Sequence, residues 1–296
     1  MSAEPAGGAV AESLPAAPAR PRAGARTRRL PLFALSVIGA FVLCALLANV
    51  LSPADPEEQS LRQRFTPPVW EERGTWKHVL GTDRLGRDLL SRIIWGSRIV
   101  LIISPLATLC AYIVGCAMGL FAGYYRGWVD MVLMQVCNVI LSFPVLVLYV
   151  IIVMKFGPSP VNIVVAVTFV ASPQVARLVR SQTLELRERE YVAAAKMRGE
   201  PAWYIMLVEI LPNARGPLIV DACLRMGYTT IAIGVLGFLG LGLPPPDPDW
   251  GGMVKEAYGM IFVWPHMTLI PAFAISSIVI GANFLANGLR EAGLDA

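Results

Sequence analysis

Windows long enough to cross a bilayer recur along this chain with almost no charge in them, and no other feature limits its fold as strongly. A helix crosses the ~30 Å hydrocarbon core in ~20 residues. Such windows lie at 30–51, 99–123, 131–154, 159–176, 214–243 and 261–289. None shows the two-residue alternation of a barrel strand, so the backbone polar groups have to be satisfied within helices. The sequence therefore predicts an all-α integral membrane protein with six transmembrane helices. Composition agrees: 16% of residues are charged and 55% hydrophobic, against roughly 25% charged in soluble domains. The net charge of +4 comes without a basic face interleaved with aromatics, which excludes a nucleic-acid binder.

The windows divide the chain. Residues 1–29, rich in Ala, Pro and Arg, cannot bury enough apolar surface to offset their ordering entropy and read as a disordered cytoplasmic tail. The first transmembrane helix is 30–51. It is longer than the ~7–15 residue apolar core of a signal peptide and lacks a small-residue cleavage site. Residues 52–98 form an extracytoplasmic segment leading into the second span. The core of five further helices occupies 99–290 and encloses a cytoplasmic loop at about 182–213; 291–296 is a short cytoplasmic tail. The positive-inside rule supports cytoplasmic N- and C-termini, because the tail and the 177–213 segment are Arg-rich while the short outer turns carry only Lys155 and Lys255. The 52–98 segment opposes that count, with Arg87, Arg92 and Arg98 close to the second span.

The loop itself, REYVAAAKMRGEPAWYIMLVEILPN from Arg189 to Asn213, encodes a helix, a sharp turn and a second helix. Residues 190–198 are good helix formers. Gly199 supplies the left-handed residue of a C-terminal cap. Pro201 suits the first turn of a new helix, which is predicted to run to about Ile210 before Pro212 stops it. On that second helix Trp203, Met206, Leu207 and Ile210 share a face by helical spacing. The alternative is a loop that merely joins two spans.

This stretch resembles the EAA loop of the membrane subunits of bacterial ABC importers: Ala193, Ala194 and Ala195, then Gly199, then Ile210, Leu211 and Pro212, with Ala193 where the pattern has Glu. GTDRLGRDLLSRIIWGSR (Gly81 to Arg98) and GFLGLGLPPPDPDWGGMVKEA (Gly237 to Ala257) resemble segments of the dipeptide, oligopeptide and nickel permeases of the DppC/OppC type. The resemblance implies a type I ABC importer transmembrane domain (MetI-like) in the bacterial inner membrane. It implies pairing with a homologous permease subunit, two cytoplasmic ABC ATPases and an extracytoplasmic substrate-binding protein. ATP and Mg would sit on the ATPases, and no cofactor on this chain. Glu190, Tyr191, Ala193, Ala194, Ala195, Lys196, Arg198, Gly199, Pro201 and Pro212 become the candidate ATPase-coupling residues, with Glu190 or Lys196 replacing the missing glutamate. The implied cargo is a dipeptide or oligopeptide, with nickel or another small solute as the alternative. A self-sufficient secondary transporter is the rival from another class; it calls for repeated halves, and no internal repeat is visible.

Other groups are weaker signals. GTDRLGRD has the glycine spacing of a phosphate loop, but Arg87 and Asp88 stand where Lys and Ser/Thr are needed. Thr82 or Asp83 is expected to cap a helix starting near Arg84 or Leu85, and Arg87, Asp88 and Arg92 to form a surface charge set. Asp221 and Arg225 are four residues apart inside an apolar window. They read either as a mutually neutralising pair or as lining of a translocation path. Asn138 and Ser142, with Pro144, interrupt the third window; they read either as marking helix packing or a local kink or as further lining of the path. Trp250 and Trp264 suit a membrane interface. No motif of a metalloprotease or a serine hydrolase is present. The five cysteines form no C-x-x-C pair and the two histidines have no ligand neighbours, so no metal site is expected.

Overall fold

The computed structural model describes residues 32–294. The tail at 1–29 and the last two residues lie outside that range. Eleven α-helices follow in order: α1 Leu32–Leu46, α2 Ala48–Leu51, α3 Leu89–Tyr125, α4 Gly127–Leu141, α5 Val145–Phe156, α6 Pro160–Leu186, α7 Glu190–Met197, α8 Ala202–Tyr204, α9 Arg215–Leu239, α10 Trp250–Tyr258 and α11 Pro265–Leu289.

Among the described residues, α3, α6, α9 and α11 are each long and apolar enough to span a membrane. α4 and α5 make a fifth span only as a pair, bent by 86°. The interruption expected at Asn138, Ser142 and Pro144 is thus a full break, because Pro144 has no N–H to continue the ladder. The first window is short: α1 has 15 residues and stops at Leu47 before α2. Together α1 and α2 reach about 30 Å. The window at 159–176 is the apolar part of a 27-residue helix that continues through the charged stretch to Leu186.

α3 and α6 form the spine. Gly115, Gly119 and Gly123 recur every fourth residue on α3, so they share one face. A Cβ at Gly119 would lie 2.6 Å from both the Ala176 carbonyl oxygen and Val179 Cβ; one at Gly123 would lie 2.6 Å from Thr183 Cβ. Only glycine lets the backbones come this close, which is how membrane helices gain dispersion contact without a hydrophobic drive. Around this seam three apolar clusters form. One joins α3, α5, α6 and α9, one lies under the loop after α6, and one joins the start of α3 to α10 and α11.

The segment before α3 departs from expectation in a useful way. The cap of α3 is Asp88, whose Oδ2 accepts from Ser91 N at 2.7 Å, and the helix starts at Leu89. Thr82 instead donates to the Gln63 carbonyl, and Asp83 accepts from the backbone N–H groups of Leu85 and Arg87. Gly86 at φ +75° turns the chain between these bonds, so it cannot be helical there. Nor do the charges form a surface set: Arg87, Asp88 and Arg92 are all buried.

Candidate functional site

The loop after α6 folds as a stiff elbow. α7 ends in a Schellman cap, with Gly199 N donating to Lys196 O at 3.0 Å and Glu200 N to Ala195 O at 3.2 Å. That geometry requires the left-handed φ of +78° seen at Gly199. Pro201 is the N-cap of α8 and not a first-turn residue. From Ile205 to Ile210 the chain is a π-helix, and Leu211 N bonds Met206 O five residues back. The wider turn changes which side chains face inward. Ile205, Met206 and Ile210 are buried, whereas Trp203 and Leu207, expected on the same face, are exposed. Pro212 is exposed in the turn leading directly into α9.

The elbow's inner face is fixed to the spine. Val192 and Ala195 are buried in the cluster that also holds Leu120, Val175 and Val179. Tyr191 is half-buried beside them, and burial pushes its phenol up from its ordinary value. Arg187 Nη1 donates to the carbonyls of Gly123 and Tyr124 at 3.2 and 2.5 Å, neutralising the exposed C-terminal carbonyls of α3. Lys196 lies over the Tyr124 ring, 5.7 Å from its centre, and Arg198 pairs with Glu209 at 3.3 Å across the turn. The sequence reading did not single out Arg187 or Glu209, since neither belongs to a motif, yet both fasten the elbow.

The outer face is small and open. Glu190, Ala193 and Met197 recur at helical spacing and are all exposed, Met197 at 84%. Ala194 is half-buried and Gly199 exposed. Glu190 forms no ion pair among the described residues, so of the two candidate replacements for the missing glutamate only Glu190 is uncommitted.

A polar stripe leads from this elbow into the membrane. Glu185, Ser181, Arg177 and Gln174 share one exposed face of α6. Arg177 donates to Asn138 Oδ1 at 2.7 Å, and Arg225 of α9 donates to Gln174 Oε1 at 2.8 Å. Arg225 Nε also donates to Asp221 Oδ2 at 2.5 Å, and the Tyr112 hydroxyl donates to the same oxygen at 2.5 Å. The fold thus links Asn138, Asp221 and Arg225 through side chains not expected from the sequence. Ser142 stays apart and bonds only back to the Val139 carbonyl.

A buried ionic cluster joins the segment before α3 to α10. Asp83 Oδ2 accepts from Arg87 and Arg92 at 2.6 and 2.7 Å, and Glu256 closes on Arg87 at 2.5 Å. His78 Nδ1 lies 2.9 Å from Asp88 Oδ1. Beside the cluster, Asp249 caps α10 through Gly251 and Gly252 N–H groups, and burial pushes its carboxyl up to about 6. Trp250, expected at an interface, is buried and donates to the Ile93 carbonyl at 3.2 Å. It fits because Gly96 leaves room for its indole. Trp264 stacks on Phe65 at 5.7 Å.

Residues 115–292, which hold the elbow and the stripe, match the family model described as binding-protein-dependent transport system inner membrane component. The chain belongs to that family. It is a permease of an ABC importer and a multi-pass protein of the inner membrane. Residues 26–68 match the N-terminal TM domain of oligopeptide transport permease C. The chain is 37% identical over 267 residues to the dipeptide transport system permease protein DppC of Alkalihalophilus pseudofirmus, covering 90% of this chain and 86% of the relative. It is 38% identical over 258 residues to the glutathione transport system permease protein GsiD of Pectobacterium atrosepticum, covering 86% and 84%. A crystal structure of an amino acid ABC transporter with histidines superposes with a TM-score of 0.50, 19% identity and coverage of 68% of this chain and 94% of that one. That likeness concerns the fold alone.

Proposed function

We propose that this permease carries short peptides inward across the membrane and that its elbow receives the stroke of a partner ATPase. The cargo class is supported by relatives named for dipeptide and glutathione transport, each matched along most of both chains. The stroke is supported by the elbow's construction. Its inner face is locked to α3 and α6, while its outer face offers an unpaired Glu190 beside the small Ala193 and the exposed Met197. A groove on an ATPase can approach such a face closely and grip it with a cation.

In this reading the N- and C-termini and the elbow are cytoplasmic and the cap before α3 is outside. A homologous permease subunit completes the pathway, two ATPases bind ATP and Mg, and an extracytoplasmic binding protein delivers the cargo. This chain holds no cofactor and catalyses no reaction. When the ATPases close, the elbow moves as one piece. Its π turn passes into α9 with only the 211–214 turn between them, so displacement of α7 tilts α9 and Arg225 with it. Peptide uptake into proteoliposomes holding all partner subunits tests this. Uptake that needs ATP and the binding protein is the expected result. Equal uptake by this chain alone would overturn it, as would labelling of a cysteine placed at Gly199 from the cell exterior.

A further inference from the structure

The polar stripe ends on a cation near the middle of α9, ~15 Å along the axis from Arg215. A charge at such depth is costly and has to face protein or water. The two charges of the pair are satisfied unequally. Asp221 Oδ2 takes donors from both Arg225 Nε and the Tyr112 hydroxyl. Arg225 spends Nε on Asp221 and Nη1 on Gln174, and its Nη2, with two further N–H donors, takes part in neither bond. The guanidinium borders an open cavity of about 370 Å³ lined also by Tyr149, Gln174, Tyr228 and Leu146. Gln174 and Tyr228 are exposed there, so polar groups front this space at a depth where a lipid-facing surface would be apolar. One turn toward the elbow, Arg177 is exposed as well, and among the described residues its hydrogen-bond partner is the neutral Asn138.

We infer that Arg225, followed by Arg177, is a carboxylate-holding station on the cargo route, taking the C-terminal carboxylate of a passing peptide. This deepens the peptide-import reading and rests on it. The chemistry favours arginine, because a planar guanidinium with free donors holds a carboxylate through two parallel bonds. The partial neutralisation by Asp221 keeps the grip weak, and a transport site has to release what it binds. Asp221 and Gln174 hold the guanidinium from two sides, which fixes its orientation. Glu185, on the same face, is paired with Arg189 at 2.8 Å, so Arg177 and Arg225 against Asp221 leave the stripe net positive. That field draws the carboxylate end of a zwitterionic peptide inward ahead of its amine.

The test uses the complete complex in proteoliposomes, with dialanine and its C-terminal amide as probes, and compares wild type, R225Q, R225K and the double variant R225Q/D221N. The station predicts at least a tenfold loss of dialanine uptake in R225Q. It predicts a similar loss in the double variant, partial recovery in R225K, and little change between wild type and R225Q for the amide. A purely structural pair predicts the reverse order: R225Q fails because Asp221 is left uncompensated, and D221N restores transport. Recovery of dialanine uptake in the double variant would overturn the station while leaving the peptide reading intact. A wild-type complex that moves no dialanine and no longer peptide would overturn the peptide reading and the station with it.

Discussion

Replacing Gly199 separates the elbow's mechanics from its contacts. A Cβ added at Gly199 would meet nothing within 4 Å, so any effect comes from the backbone alone. At φ +78° an L-residue is left-handed, which costs about 1–2 kcal/mol; asparagine tolerates it better and a β-branched residue worse. Leaving that conformation would break the bonds from Gly199 N to Lys196 O and from Glu200 N to Ala195 O. At about 0.5–1.5 kcal/mol each, those two bonds are worth roughly 1–3 kcal/mol together. Alanine's penalty falls within that range, so G199A should keep the cap with a thinner margin. Valine's penalty is larger than alanine's because β-branching crowds the left-handed backbone, so in G199V the cap should open for much of the time. The expected order of peptide uptake per ATP hydrolysed, in proteoliposomes, is wild type, then G199N, then G199A, with G199V far below. A penalty of 1–2 kcal/mol changes the closed-to-open ratio roughly 5–30-fold. Melting temperature should fall by only a few degrees, since the strain is local and the core is untouched. Normal coupling in G199V with unchanged stability would refute the claim that a rigid cap transmits force.

Three further outcomes follow from packing and charge. G119V should lower the melting temperature in detergent, because the new atoms meet the Ala176 backbone and overpacking costs about 1–3 kcal/mol; an unchanged melting point would mean that α3 and α6 do not pack this closely. D83A should release the segment before α3, since it leaves Arg87 and Arg92 buried with Glu256 as their remaining ion-pair partner among the described residues. Loss of one member of a buried ion pair costs about 3–5 kcal/mol, and faster proteolysis within 52–88 is the readout. Asp249 holds its proton up to about 6 in the fold but only to about 3.9 when unfolded. Between those values the folded state binds more protons, so stability falls as pH rises. Melting temperature should therefore increase from pH 7 toward pH 5, and D249N should flatten that slope.

Much of this protein was legible along the chain because membrane insertion is a one-dimensional constraint. The uncharged windows, the break near Pro144 and the helix-turn-helix of the elbow each depend on residues within a few positions of one another. Gly199 could be read as left-handed for the same reason. Where the reading failed, the cause was distance in sequence. Arg87 and Arg92 looked like surface charges until Glu256 came across from α10. Trp250 looked interfacial until Gly96 provided its slot. The face at Trp203 and Leu207 failed for a local reason, since a π turn alters the period on which face assignments rest.

By itself the sequence determined that the chain lies in a membrane as helices and that a charged bend follows the fourth window. The solvent explains this: hydrocarbon penalises every exposed amide and charge, and that penalty is written residue by residue. Tertiary structure alone decided which polar groups meet. Gln174 reaches Arg225, Tyr112 reaches Asp221, and Arg187 caps α3 from the end of α6. Such pairings depend on how closely α3, α6 and α9 approach, and for α3 against α6 that distance is set by glycines packed against a backbone far away in the chain.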